Sequence, residues 1–148
     1  MLKRILVIAL FLLLGSLSSA AQDEKPAAAP AGDFKIPPEA AKQTNPVKPS
    51  PESLAKGKKI YGFDCAMCHG KDGGGKGDLA TDIKLTLKDY RDPDSLKGMT
   101  DGELAYIIKS GKGDMPAEGD RAKGDETWNL VNYIRSFAKK ESAEKDKP

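Results

Sequence analysis

The 148-residue sequence contains few residues that could form disulfides or bind a metal through sulfur or imidazole: two cysteines and one histidine. Two cysteines exclude a miniprotein held by several disulfides, and with one histidine they cannot complete a four-ligand zinc site. An excess of charge of one sign is also absent, because 24 basic residues are matched by 22 acidic ones. Proteins that bind nucleic acid normally carry a clear basic excess, so that class is disfavoured.

Long hydrophobic runs are absent except near the N-terminus, where ten apolar residues, 5–14, follow two basic ones. Small residues come next, which is the order of a secretory signal peptide. An uncleaved membrane anchor is the alternative, but ten helical residues rise only about 15 Å, half the hydrocarbon core of a bilayer. We therefore expect residues 1–21 to be a signal peptide, cleaved after Ala20 or Ala21, and the mature protein to be periplasmic without stable membrane insertion.

The mature chain divides into three parts by composition. Residues 22–50 contain six prolines and many charges, which predicts a flexible or polyproline-like tether, although Phe34, Ile36 and Val47 could hold part of it on the domain. Residues 139–148 predict a charged C-terminal tail. The domain between them, residues 51–138, has few large apolar side chains for its long loops. A domain of this kind usually needs a metal or a prosthetic group to complete its core.

Cap and stop signals predict three main helices in this domain. They run from Ser50 to about Phe63, from Thr100 to Gly111, and from about Asp125 to between Phe137 and Lys139. Ser50 is the expected N-cap of the first, and Thr100 with Glu103 forms a capping box for the second. A short helical turn is expected at residues 93–97, and the alternating apolar residues of 83–87 indicate extended chain rather than sheet. The predicted fold class is all-α.

The sequence Cys-Ala-Met-Cys-His at residues 65–69 carries the chemistry. On a helix, Cys65, Cys68 and His69 lie at positions i, i+3 and i+4, so their side chains emerge from one face. Two thiols on that face can each add to a vinyl group of one haem, while the histidine beside them reaches the iron. The spacing therefore predicts covalent attachment of one haem c through Cys65 and Cys68, with His69 as an axial iron ligand.

Three other interpretations of the motif were considered. A thioredoxin-like redox pair would follow a strand in an alternating fold, which this sequence does not indicate. A zinc site would lack a fourth Cys or His ligand. A structural disulfide across two intervening residues would be strained and would leave His69 without a role.

The second axial ligand cannot be histidine, because the chain has only one. Met1 leaves with the signal peptide, Met67 lies inside the motif, and Met99 precedes a helix cap, where a hydrophobic staple is its expected role. Met115 lies in a loop flanked by glycine and proline, where its alternative role is packing against the core. We predict Met115 as the ligand opposite His69, a pairing that raises the reduction potential.

Residues 51–138 resemble the small class I cytochromes c of bacteria, which bind one covalent haem with His/Met ligation. The resemblance lies in the motif at 65–69, in Gly-Asp-Met-Pro at 113–116, and in four residues of the terminal helices: Gly57, Tyr61, Leu130 and Tyr133. It implies the cytochrome c fold, in which three main helices and a short helical turn surround one haem c. It also implies close contact between the first and last helices at Gly57.

The predicted function is that of a periplasmic electron carrier, expected to be a monomer that meets redox-partner proteins, and not an enzyme. With both axial positions filled, the iron has no vacancy for a substrate. One alternative is an electron-entry haem subunit of a larger oxidase or dehydrogenase, with residues 22–50 as a leash. The other is an open-site haem enzyme or gas sensor, which would require Met115 to be absent from the iron.

Overall fold

The structure, a computed structural model, describes the backbone of residues 34–145 and the side chains of residues 34–138. Its helices are α1 (Pro38–Ala41), α2 (Pro51–Asp64), α3 (Ala66–His69), α4 (Asp78–Asp82), α5 (Asp101–Ser110) and α6 (Asp125–Lys145). No β-strand occurs within this range, so the expected all-α fold is confirmed. The predicted signal peptide, residues 1–21, lies outside the described residues. None of the helices between residues 34 and 145 is long and apolar enough to cross a bilayer.

The helix caps form where the sequence predicted them. The Ser53 amide donates to Ser50 Oγ over 3.1 Å at the start of α2. At the start of α5, the Glu103 amide donates to Thr100 Oγ1 over 3.1 Å, and the Thr100 amide donates to Glu103 Oε2 over 2.7 Å. Each cap satisfies amides that have no partner inside the helix, a contribution of about 1 kcal/mol.

Helices α2 and α6 cross in close contact at Gly57, as the resemblance implied. A Cβ placed on Gly57 would overlap the backbone oxygen of Asn129 and lie 2.7 Å from Tyr133 Cβ. Only glycine leaves room for the two backbones to approach this closely. The crossing therefore fixes the orientation of α2, whose C-terminal end leads directly into Cys65.

An aromatic cluster fills the space beside this crossing. The ring of Tyr61, which is 1% exposed, lies 5.3 Å from the ring of Tyr133 and 5.2 Å from that of Phe137. Leu130 is fully buried one turn away on α6. Edge-to-face and tilted ring pairs of this kind add roughly 0.5–1.5 kcal/mol each beyond their buried area. The cluster holds the two long helices together at the end nearest the Cys-Ala-Met-Cys-His motif.

Residues 34–50, which we call the N-terminal strap, pack on the domain, and Val47 contacts the core, as the sequence allowed for part of the predicted tether. Asn45 Nδ2 donates to Asn132 Oδ1 over 2.9 Å, and Asn132 Nδ2 donates to the Val47 carbonyl over 3.0 Å. Thr100 Oγ1 donates to the Ala41 carbonyl over 2.9 Å. Composition did not reveal these hydrogen bonds, because they join residues more than fifty positions apart. The rest of the predicted tether, residues 22–33, lies outside the described residues.

Two other segments also differ from the sequence-based expectation. Residues 93–97 form successive turns rather than a helix, although the Ser95 amide does donate to the Asp92 carbonyl over 3.1 Å. Helix α6 continues to Lys145 and so enters the predicted tail, 139–148. The tail is rich in Lys and Glu, which favour continuation of a helix once it has begun.

Replacing Gly57 by alanine is expected to lower the free energy of unfolding by about 2–3 kcal/mol, because the added methyl group must push α6 away from α2. Gly62 is the matched control, since it lies on the same helix and a Cβ there would meet nothing within 4 Å. Gly62→Ala should leave stability unchanged or raise it by up to about 1 kcal/mol. Denaturant unfolding of both variants measures the difference. Equal stability of the two variants would show that the helices do not cross at Gly57.

Candidate functional site

The motif begins where α2 ends and forms one further helical turn. The Cys65 amide donates to the Tyr61 carbonyl over 3.0 Å, which continues the hydrogen-bonding pattern of α2. The Cys68 and His69 amides then donate to the Cys65 carbonyl over 3.2 and 2.9 Å. Both cysteines are half-buried free thiols. The backbone therefore has the local helical geometry on which the sequence argument depended.

The imidazole of His69 has an unused nitrogen in a protected environment. Its Nδ1 is buried and has no hydrogen-bond partner among the described residues. The ring stacks on Tyr90 with centroids 5.0 Å apart and planes 20° apart. Burial lowers the pKa of His69, which favours the neutral imidazole that can donate a lone pair to a metal. Nothing in the sequence marks Tyr90 as a neighbour of His69, because twenty residues separate the two in a long loop.

A glycine-rich loop folds back over the motif. The Gly75 amide donates to the His69 carbonyl over 2.8 Å, and the Gly77 amide donates to the Cys68 carbonyl over 2.9 Å. Gly75 has a φ of +73°, and a Cβ there would lie 2.9 Å from the carbonyl oxygens of Leu87 and Lys88. This position requires glycine both for its backbone conformation and for the space it leaves. The loop thus ties the Tyr90 segment to the motif.

A two-residue turn presents Met115 on the loop that follows α5. Lys112 and Met115 exchange backbone hydrogen bonds of 3.1 Å in both directions, and Gly113 between them has a φ of +58°. The Met115 side chain is half-buried and packs against the hydrophobic core. The turn therefore gives the methionine a defined backbone position, as expected for a residue with a specific role.

Met67 differs clearly from Met115 in its exposure to solvent, whereas Met99 does not. Met67 is 58% exposed. Met99 packs against the core as Met115 does, and it also lines a cleft of about 310 Å³ with Tyr90, Leu96 and Arg135. The exposure of Met67 argues against a ligand role for this residue. Met99 and Met115 both lie at the edge of the core, so burial does not distinguish them.

Six partly buried hydrophobic residues pack against the core. They are Val47, Ile60, Cys65, Tyr90, Met99 and Met115. A large apolar group held among such side chains would lose contact with water and complete the core. With two free thiols and an unpartnered buried imidazole nitrogen, these residues fit a covalently attached haem with a histidine ligand.

A buried carboxylate lies beside the motif and was not anticipated. Glu118 is 3% exposed, and its Oε1 accepts a hydrogen bond from Arg121 Nη2. Burial and, to a smaller extent, the negative charges of Glu118 and Asp64 raise the pKa of the Cys65 thiol to about 12. A single glutamate in a polar loop has no periodicity that would reveal its burial, so no sequence signal could have found it.

The exposed apolar side chains cluster around the same segment of the chain. Four large hydrophobic residues among the described ones are strongly exposed: Phe63, Met67, Leu79 and Ile83. Phe63 lies in the last turn of α2 and Met67 in the motif itself. Leu79 lies on α4, which packs against α3, and Ile83 directly follows α4. We call these four residues the apolar patch. Exposed hydrophobic surface grouped in this way is typical of a protein–protein contact.

The chain is similar to proteins of known family. The family described as cytochrome c oxidase, cbb3-type, subunit III matches residues 52–134, which include both cysteines, His69 and Met115. The chain is 36% identical to cytochrome c6 of Cladophora glomerata over 56% of its own length and 87% of the relative. It is 31% identical to cytochrome c6 of Porphyra purpurea over 59% of its length and 74% of the relative. It is also 34% identical to the cbb3-type cytochrome c oxidase subunit FixP of Bradyrhizobium diazoefficiens, over 57% of this chain but only 30% of FixP.

Proposed function

We propose that this chain, which belongs to the family described as cytochrome c oxidase, cbb3-type, subunit III, carries single electrons between redox-partner proteins in the periplasm. It is a class I c-type cytochrome with one covalently bound haem c, and it is an electron carrier rather than an enzyme. The observation that carries the proposal for the site is the buried, unpartnered nitrogen of His69, which lies next to the free thiol Cys68 and one helical turn from the free thiol Cys65.

Four residues would hold the haem in this proposal. Cys65 and Cys68 would each form a thioether bond to it, and His69 and Met115 would be the axial ligands of its iron. When bound, the haem supplies a reversible one-electron couple. His69 is oriented by its stacking on Tyr90 and by the hydrogen bond that its carbonyl accepts from Gly75.

Two side-chain ligands explain why electron transfer is the expected chemistry. If His69 and Met115 occupy both axial positions, no position remains for oxygen, peroxide or an organic substrate. The chain also has no second histidine that could act as a general base. A packed aromatic cluster on α2 and α6 resists movement, which keeps the ligand positions unchanged when the charge of the iron changes.

The apolar patch is the surface on which we expect redox partners to dock. Two of its exposed residues, Phe63 and Met67, lie within two positions of a cysteine, so a partner on this surface would come close to the covalently held group. Encounters in electron transfer are brief, and small contacts of less than about 1,200 Å² suit them. An apolar centre without strong charge of one sign favours rapid release after each encounter.

Export is part of the same proposal. Residues 1–21 have the composition of a signal peptide, and cleavage after Ala20 or Ala21 would release the mature chain into the periplasm. Removing this segment leaves 22 basic and 22 acidic residues, because Lys3 and Arg4 are the only charged residues within it. The mature carrier would therefore be nearly neutral and is proposed to act as a monomer.

Replacing both Cys65 and Cys68 by alanine should abolish covalent haem and leave the exported chain largely unfolded, because the half-buried residues at the core edge lose the group that they enclose. Intact mass and circular dichroism measure the two effects. Met67→Ala changes an exposed residue of the same motif and should retain both haem and helix content. A compact, helical double variant without haem would contradict the proposed role of the haem in the core.

Replacing Met115 by alanine should remove the weak long-wavelength absorption band of a sulfur–iron bond, lower the reduction potential and let the iron bind carbon monoxide rapidly. Met99→Ala is the matched control, since Met99 also packs at the core edge. It should retain the band and lose only some stability. Loss of the band in the Met99 variant but not in the Met115 variant would identify Met99, rather than Met115, as the ligand. Rapid carbon monoxide binding by the wild type would instead favour the open-site function.

The family description and the similarity to FixP favour a second candidate, an electron-entry subunit of a larger oxidase. Size-exclusion chromatography of a native periplasmic and membrane extract distinguishes the two. A free carrier elutes at the mass of one mature chain with one haem. A subunit is found in the membrane extract and elutes at a much larger mass, together with other haem proteins. That result would support the subunit proposal and contradict the free-carrier proposal.

A further inference from the structure

Glu118 is held inside the domain by the backbone of its own loop. Its amide donates to the Ile108 carbonyl at the end of α5 over 2.9 Å. Its carbonyl accepts hydrogen bonds from the Arg121 and Ala122 amides over 3.0 and 2.8 Å. With both backbone groups engaged, the side chain is directed into the domain, where the residue is only 3% exposed.

The carboxylate of Glu118 is compensated on one side only. Arg121 Nη2 donates to Oε1, while Oε2 is buried with no hydrogen-bond partner among the described residues. Arg121 also reaches Asp64 Oδ1 at 3.8 Å, and Asp64 immediately precedes Cys65. Burying a charged carboxylate costs several kcal/mol unless it is fully paired, so a half-paired one calls for an explanation.

Fold stability does not explain this arrangement well. The side chain of Arg121 is 59% exposed, and an ion pair with one partner in water stabilises a fold by at most about 1 kcal/mol. A cation site is no better supported, because no group of three His, Cys, Asp or Glu side chains suited to a metal occurs within the described part of the chain. The explanation that remains is electrostatic: the negative charge of Glu118 acts on the groups around it.

The surroundings of Glu118 include the attachment site. Its negative charge acts on the Cys65 sulfur, where it adds to the effect of burial in raising the pKa of the thiol. Arg121 opposes this effect from a position largely in water, where its field is screened more strongly than that of the buried carboxylate. The net field at Cys65 from this ion pair is therefore negative.

We propose that Glu118, oriented by Arg121, sets the reduction potential of this protein by placing a buried negative charge beside the group bound at Cys65. The inference rests on the proposed function. A bound iron carries one more positive charge in its oxidised state than in its reduced state. A fixed negative charge nearby stabilises the oxidised state more and so lowers the potential. Glu118 thereby offsets part of the increase that a methionine ligand causes.

The test is the midpoint potential of the purified holoprotein carrying Glu118→Gln, which keeps the size of the side chain and removes its charge. The equilibrium constant for reduction by a fixed donor should rise about tenfold, a shift of 59 mV for a one-electron couple. Asp120→Asn is the matched control, because it removes the same charge from an exposed position two residues along the loop. It should change the constant by less than about twofold. A shift in E118Q no larger than that in D120N would overturn the proposal.

Arg121→Gln provides an independent test of the sign, and its exposed side chain makes loss of folding unexpected. Removing the cation leaves Glu118 uncompensated, so the potential should fall; a rise or no change would overturn the proposal. Intact mass and the sulfur–iron band are recorded for each protein. Wild type with haem and the band, but variants without the expected shifts, would refute the role of Glu118 alone. Wild type without haem would instead refute the proposed function.

Discussion

The close crossing of α2 and α6 at Gly57 is the contact on which the position of the site depends. Helix α2 leads into Cys65 without a break, so any rotation or displacement of α2 would move the motif with it. The Tyr61 hydroxyl adds a second constraint, because it donates to the Gly70 carbonyl over 2.9 Å just after His69. The crossing and this buried hydrogen bond fix both ends of the motif against α6 and its aromatic cluster.

Features that depend on neighbouring residues could be predicted from the sequence. The caps at Ser50 and Thr100 involve side chains three positions from their partners, and the thiol and imidazole spacing is a property of one helical turn. Gly57 was identified only through resemblance to a family, since nothing local shows which glycine lies at a helix crossing. The three main helices could therefore be predicted from the sequence, and the packing between them only in part. The ligand assignment remains a proposal.

Features that depend on distant residues could not be predicted. The composition of the strap is that of a flexible linker, and its hydrogen bonds were not predicted because Asn45 finds its partner on α6, far along the chain. The burial of Glu118 likewise depends on a backbone hydrogen bond to Ile108. The extent of α6 was underestimated for a different reason: a charged segment was interpreted as solvated tail, although its residues favour helix when a stable helix precedes them.

Electron exchange requires that the ligands hold the same positions before and after the iron changes charge. Here the proposed ligands belong to different parts of the chain, and each part is fixed separately. The motif is held by α2 and by the glycine-rich loop, and the turn bearing Met115 closes on itself through two backbone hydrogen bonds. The loop continues to Glu118, whose amide returns to the end of α5. The loop that carries Met115 is thus held at both of its ends. The backbone is therefore constrained at both proposed ligands, His69 and Met115, before the iron changes charge.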